Sequence, residues 1–136
     1  MGYSLSIALP TKEACDALCE WLDANFNPSL EGWGEPCCSV QRHPSYRPDR
    51  KQSTGFDYGP IGGHQRLYVW EAAYLLTRLA KGKLYYDSEL LTTTSSSPPE
   101  WDAAFLHCDD DAEAEKRKIR AELTRLESIW RSKPPL

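Results

Sequence analysis

The segment 65–81 limits most strongly what this chain can fold into. It contains neither proline nor glycine, and its apolar side chains cover nearly the whole circumference of an α-helix. These apolar residues are Leu67, Val69, Trp70, Ala73, Tyr74, Leu75, Leu76, Leu79 and Ala80. Because such a helix must be covered by other elements, the sequence predicts a buried central helix over about 64–81. Gly82 is expected to end it as the C′ glycine, and Trp70 is expected in the core.

The chain before this helix predicts a strand and a first helix. Large apolar residues alternate with small ones over residues 3–9, which is the pattern of a half-buried strand. Thr11 is a suitable N-cap for a helix over about 12–25, whose apolar positions follow helical spacing. The acidic residues that this helix turns toward water are Glu13, Asp16, Glu20 and Asp23. We therefore expect an acidic outer face on the first helix.

The rest of the chain predicts short strands and one long helix. Four apolar residues near the C-terminus are spaced by four, three and four positions, which indicates a helical stripe. They are Ile119, Leu123, Leu126 and Trp130. The predicted elements are a strand over 37–41, a short edge strand over 55–58, a strand over 84–91 and a helix over about 112–131.

A chain of 136 residues, of which 40% are hydrophobic, is expected to form a single domain over 1–136. The elements above predict an α+β fold, a small and mostly antiparallel sheet with three helices, of which the middle one is buried. Polar and low-complexity stretches are assigned to the surface. They are a basic loop at 42–54, a loop rich in serine, threonine and proline at 92–99, and a short C-terminal tail at 132–136.

Charge is divided into blocks along the chain, although the formal net charge is only −4. Residues 11–35 carry six acids and one base, and residues 87–115 carry nine acids and no base. Residues 36–86 carry eight bases and three acids, and residues 116–136 carry seven bases and two acids. The negative total argues against a general nucleic-acid binder, whereas blocks of charge suit electrostatic docking to another protein.

Two groups of charged residues are the candidate partner-binding sites. The acidic group lies in a block without bases and predicts a partner with a basic surface patch. Its members are Asp109, Asp110 and Asp111. The basic group consists of Arg42, Arg47 and Arg50 of the basic loop. That loop is compatible with an acidic protein partner and with single-stranded nucleic acid, and plain solvation needs no partner at all.

The turn 59–66 is the alternative site, because it leads into the buried helix. Gly62 and Gly63 would let an anion approach the free N–H groups of the helix start, with His64 as acid-base group and Arg66 as anion clamp. The turn lacks the Lys-Ser/Thr of a P-loop and the spacing of a dinucleotide fingerprint. Glycines that turn a chain into a helix also need no ligand.

No catalytic group, metal site or cofactor is predicted. Only Cys15 and Cys19 have the spacing of a zinc-ligand pair, and structural zinc sites usually use two such pairs. Cys37 and Cys38 would point to opposite faces of a strand. Cys108 stands beside His107 and among acids that would raise a thiol pKa. Three carboxylates are considered for acid-base work, Asp57, Asp87 and Glu89. Nothing in the sequence fixes the distances between them.

Compartment and function follow from these exclusions. Five cysteines without a disulfide-like spacing indicate reduced thiols and the cytoplasm. No apolar run reaches the roughly 18 residues of a membrane span, and residues 1–10 lack the regions of a signal peptide. The sequence favours a non-enzymatic protein-interaction module, in the form of a small cytoplasmic inhibitor or toxin-neutralising, immunity-like protein that occludes its partner. The alternative is a small enzyme or anion-binding domain that uses the turn 59–66.

Overall fold

The structure, a computed structural model, describes residues 3–43, 52–59, 61, 63–87, 89–91 and 112–136. Several predictions concern residues outside this set. They are the partner-binding roles of Arg47, Arg50, Asp109, Asp110 and Asp111, the anion-binding role of Gly62, and the loop at 92–99. These stay predictions.

The described residues form three helices and one five-stranded antiparallel sheet, so the predicted α+β fold is confirmed. The strands lie in the order β2-β3-β1-β4-β5. Within the described residues, no helix combines the length and the apolarity that a membrane span needs. The elements are β1 (Tyr3–Leu9), α1 (Lys12–Asn25), β2 (Ser39–His43), β3 (Gln52–Tyr58), α2 (Gly63–Ala80), β4 (Lys83–Tyr86), β5 (Glu89–Leu90) and α3 (Ala112–Ser132).

Strand β1 is the centre of the sheet and pairs with both β3 and β4. The prediction of a half-buried strand is wrong, because Ser6 and Ala8 are buried as well as the large apolar residues. Leu5, Ile7 and Leu9 lie together on one face, as the alternation predicts. Phe56 of β3 lies opposite Leu5, and Leu84 of β4 lies opposite Ile7, so they share this face. Helices α1 and α2 both pack against it. The core therefore lies between this face and the two helices.

Helix α1 begins and ends at the predicted residues. The hydroxyl of Thr11 accepts a hydrogen bond from the N–H of Ala14 at 3.1 Å, which makes Thr11 the N-cap. The inner face of the helix is buried and consists of Cys15, Leu18, Trp21 and Leu22. The apolar spacing thus fixes which side of α1 faces water.

Strand β3 corrects the prediction of a short edge strand over 55–58. It lies between β2 and β1 and extends back to Gln52. Its polar residue Thr54 is buried because its hydroxyl donates a hydrogen bond to the carbonyl oxygen of Cys15 at 2.7 Å. Strand β2 begins and ends two residues later than the predicted strand over 37–41. Both ends of the predicted basic loop 42–54 therefore belong to strands, residues 42–43 to β2 and residues 52–54 to β3.

Helix α2 is the predicted buried helix, with nine buried residues. Its end differs from the prediction by one position. Lys81, with φ 56°, adopts the left-handed conformation and donates to the carbonyl oxygen of Arg78, while Gly82 donates to that of Thr77. Lys81 is therefore the C′ residue of a Schellman motif. Gly82 is needed for another reason, since a Cβ there would lie 2.9 Å from the carbonyl oxygen of Ala8.

The predicted strand over 84–91 is wrong, because the chain forms the hairpin β4-β5 there. Tyr86 pairs with Glu89, and Asp87 adopts φ 51° in the turn. The N–H of Asp87 donates to the carbonyl oxygen of Ser4 at 2.8 Å, and the N–H of Ser4 donates to Asp87 Oδ1 at 3.0 Å. These bonds to β1 fix the hairpin turn beside the central strand.

Helix α3 covers α2 with the predicted apolar stripe, since Ile119, Leu126 and Trp130 are buried. Trp130 meets Trp21 of α1 edge to face, with 5.1 Å between ring centroids. Such aromatic pairs add about 0.5–1.5 kcal/mol beyond the area that they bury. Helix α3 is therefore anchored to both of the other helices.

Candidate functional site

The exposed side of α1 carries four carboxylates, Glu13, Asp16, Glu20 and Asp23, which we call the acidic stripe. At 3.6 residues per turn they fall within an arc of about 80° around the helix axis. At 1.5 Å per residue the stripe is about 15 Å long. Glu13, Glu20 and Asp23 are exposed, as the sequence predicts.

The fold holds the acidic stripe on a rigid support. The opposite face of α1 is buried, and the C-terminal end of the helix is bound by α3. There Arg125 Nη2 donates to the carbonyl oxygen of Asn25 at 2.7 Å, while the same guanidinium makes two short bonds to Glu122, at 2.5 and 2.6 Å. The helix is thus fixed at its cap, its inner face and its end. Its exposed carboxylates project from a backbone that is ordered before any partner arrives.

One member of the stripe is paired within the molecule. Arg42 Nε lies 2.6 Å from Asp16 Oδ1, and Arg42 Nη1 donates to the carbonyl oxygen of Ser53 at 2.7 Å. Arg42, a predicted partner-binding residue, therefore connects α1 to strands β2 and β3. Glu13, Glu20 and Asp23 form no ion pair with another described residue. These three carboxylates carry the negative charge that the stripe presents to solvent.

The predicted anion site at 59–66 is divided between two parts of the molecule. Gly63 is the first residue of α2, and His64 and Arg66 lie in its first turn. Two residues correspond to about 200° around a helix, so these two side chains leave it on nearly opposite sides. His64 lies near Glu115 of α3, whereas Arg66 lies near Tyr58 and Tyr86 of the sheet. The structure does not bring them together, and anion binding here stays a prediction.

An aromatic cluster that was not predicted from the sequence lies at one end of the sheet, near Arg66. Tyr3 lies 5.5 Å from Tyr58 and 6.2 Å from Tyr86 between ring centroids. Trp70 lies 5.2 Å from Tyr86, and its Nε1 donates to the hydroxyl of Tyr58 at 2.9 Å. Burial raises the pKa of Tyr58, so this phenol stays protonated at neutral pH. The sequence did contain one indication of this cluster, because Tyr3 alternates in step with the inward-facing residues of the strand 3–9.

Two of the three carboxylates considered for acid-base work form hydrogen bonds with the same residue, Ser4. Ser4 Oγ donates to Asp57 Oδ1 at 3.1 Å, and the Ser4 N–H donates to Asp87 Oδ1. Glu89 is exposed on β5. Ser4 thus holds two of the three carboxylates on either side of β1, in strand-to-strand hydrogen bonds.

The cysteines differ from the prediction at one place. Strand β2 begins at Ser39, so Cys37 and Cys38 precede it, and both are buried with 4.0 Å between their Sγ atoms. Burial, followed by the charge of Asp23, raises the pKa of Cys19. Burial also raises the pKa of Cys15. Among the described residues, no three histidine, cysteine or acidic side chains form a group that could hold a metal ion.

Comparison of the chain with known protein families, with curated proteins and with solved structures found no match in any of the three.

Proposed function

We propose that this protein is a protein-interaction module that binds a partner through the acidic stripe of α1 and neutralises it by occlusion, as a small inhibitor or immunity-like protein. The observation that carries the proposal is the exposure of Glu13, Glu20 and Asp23, which lack ion pairs within the described residues. A row of free carboxylates on a fixed helix suits a partner with a basic patch.

The size of the electrostatic effect decides what the stripe contributes. Two unit charges 4 Å apart in water interact with about 1 kcal/mol, and salt weakens this further. Exposed charges therefore mainly speed the encounter and select the partner, while tight binding needs contacts that exclude water. Asp109, Asp110 and Asp111 are a second run of acidic residues in the sequence, and we propose them as a second contact to the partner.

We also propose the cytoplasm as the compartment of this interaction. Cys15, Cys19, Cys37 and Cys38 are free thiols, although several of them are well buried. Thiols persist in the reducing cytosol, whereas small secreted domains usually join theirs in disulfides. The partner is accordingly expected in the cytoplasmic fraction of the native host.

The test is affinity purification from the native host with three versions of the protein. The first is the wild type, and the second carries Glu13→Gln, Glu20→Gln and Asp23→Asn. The third is a control with the same change in net charge, Glu31→Gln, Glu35→Gln and Glu89→Gln, at exposed positions outside α1. We expect the wild type and the control to retain the same protein and the stripe variant to lose at least about nine-tenths of it. Equal retention by the stripe variant would contradict the proposal.

A further inference from the structure

Cys37 and Cys38 form a pair of adjacent buried thiols that the proposed function does not use. Their side chains are 2% and 8% exposed, and their Sγ atoms are 4.0 Å apart. The pair follows the irregular segment between α1 and β2, and the rest of the core surrounds it. Two sulfur atoms this close together can bind the same ligand atom.

A disulfide is a poor use of this pair. Adjacent Cα atoms across a trans peptide are about 3.8 Å apart, whereas disulfides favour about 4.4–6.8 Å. The sulfur atoms would also have to approach from 4.0 Å to about 2.05 Å. Strained disulfides of this kind are easily reduced, so the dithiol is the stable form in a reducing compartment.

The same separation suits a single atom bound by both sulfurs. Two bonds of about 2.3 Å at a tetrahedral angle would place the sulfur atoms about 3.8 Å apart. The narrower angle at a pyramidal atom brings them closer still, so the sulfur atoms, 4.0 Å apart in the structure, must approach one another by a short distance to bind it. Zinc would need four ligands, and no third metal-ligating side chain joins the pair among the described residues. The pair therefore fits an acceptor that needs only two thiols.

Local contacts orient the pair for such a ligand. The carbonyl oxygen of Pro28 accepts hydrogen bonds from both the N–H and the S–H of Cys37, each at 2.9 Å. The hydrogen bond between the two thiols lowers the pKa of Cys37 and, together with burial, raises that of Cys38. One sulfur thus ionises before the other, which favours stepwise attack on an electrophile. Because both thiols are buried at the end of a segment without helix or strand, a small reagent reaches them only when that segment opens locally.

We propose that Cys37 and Cys38 are a vicinal dithiol site for trivalent arsenic that carries one organic substituent. In the reaction of an arsine oxide, both sulfurs form bonds to arsenic and the arsenic–oxygen bond breaks. The two thiol protons leave with the oxide oxygen as one water molecule. Arsenic stays trivalent, so no oxidant or reductant takes part. Both sulfurs end on one arsenic atom and close a single ring through the peptide bond between Cys37 and Cys38.

The test uses phenylarsine oxide and the native full-length protein, with intact mass as the readout. We expect one phenylarsenic group per chain, which excess glutathione leaves in place and dimercaptopropanol removes. Cys37→Ser and Cys38→Ser should each lose this adduct by at least about tenfold, because a single thiol binds arsenic weakly. The matched control is Cys19→Ser with Cys108→Ser, which breaks up the Cys15/Cys19 pair and removes the thiol at position 108, and it should keep the adduct.

A measurement on the wild type covers the case in which a serine variant fails to fold. The protein is treated with arsenic in its native state, then denatured, alkylated and mapped by peptide mass, and the two cysteines protected from alkylation should be Cys37 and Cys38. Protection of another pair would overturn the proposal. So would adduct formation only after denaturation, since the site would then not exist in the folded protein.

Discussion

The indole of Trp33 donates a hydrogen bond from Nε1 to Glu115 Oε2 at 2.6 Å, across 82 residues of sequence. The other carboxylate oxygen of Glu115 accepts from Lys118 Nζ at 3.2 Å, and the same ammonium donates to the carbonyl oxygen of Glu31 at 3.3 Å. Trp33 also packs edge to face on Tyr68, with 5.8 Å between ring centroids. This arrangement fastens the first turn of α3 to the segment that follows α1.

The Trp33–Glu115 bond predicts a dependence of stability on acid. The hydrogen bond from Trp33 holds the pKa of Glu115 below its ordinary value of 4.5, because it favours the charged carboxylate. Since the folded-state pKa is lowered, the stabilisation is present above pH 4.5 and is lost as pH falls through the folded-state value. Glu115→Gln should cost about 1 kcal/mol at pH 7 and clearly less near pH 3, measured by urea unfolding. An equal cost at both pH values would contradict this assignment.

Trp70 predicts the largest loss of stability on truncation. The ring is 8% exposed, and its Nε1 is the donor to the buried Tyr58 hydroxyl. Trp70→Ala should cost about 3–5 kcal/mol, a large share of the stability of a domain of this size. Arg66→Ala, one helical turn earlier at an exposed position, is the control and should leave the melting temperature nearly unchanged. An unaltered melting temperature for Trp70→Ala would show that α2 is not buried.

Gly55 predicts a second sensitive position, at the junction of β3 and β1. A Cβ at this residue would lie 1.8 Å from the carbonyl oxygen of Leu5, a distance that requires a shift of the backbone of the central strand. Gly55→Ala should therefore cost about 3 kcal/mol or more in thermal unfolding. Gly59→Ala is the matched control, because nothing lies within 4 Å of a Cβ there. Equal melting temperatures for the two variants would mean that β1 and β3 do not pair in this register.

The helices were predictable because each repeats apolar residues over several turns. The spacing of the apolar residues of α1 predicted which face is buried and which face is acidic, and Thr11 marked the start of the helix. The run around Trp70 identified the buried helix, although its end depends on packing against Ala8 that the sequence does not reveal. The acidic stripe, being the outer side of a regular helix, was the part of the candidate site that sequence could place.

The strands were less predictable because tertiary contacts decide them. Thr54 reads as a polar loop residue, but the carbonyl oxygen of Cys15 satisfies its hydroxyl inside the sheet. Asp87 turns the chain within an otherwise strand-like run, where Ser4 holds it from β1. Cys37 and Cys38 come together because β2 starts at Ser39, two residues later than the predicted strand, so neither cysteine lies in it. The partners of Thr54 and Asp87 are distant in sequence.

The most direct test of the account measures how salt changes the association rate between this protein and the partner recovered by affinity purification. The Debye length falls from about 10 Å at 0.1 M salt to about 3 Å at 1 M, so attraction between exposed charges is lost over this range. For the wild type and for the Glu31, Glu35 and Glu89 control we predict a rate that falls at least about tenfold. For the variant with neutral residues at 13, 20 and 23 we predict a slower rate at low salt and a nearly flat dependence. The same steep salt dependence in that variant would contradict docking through the acidic stripe.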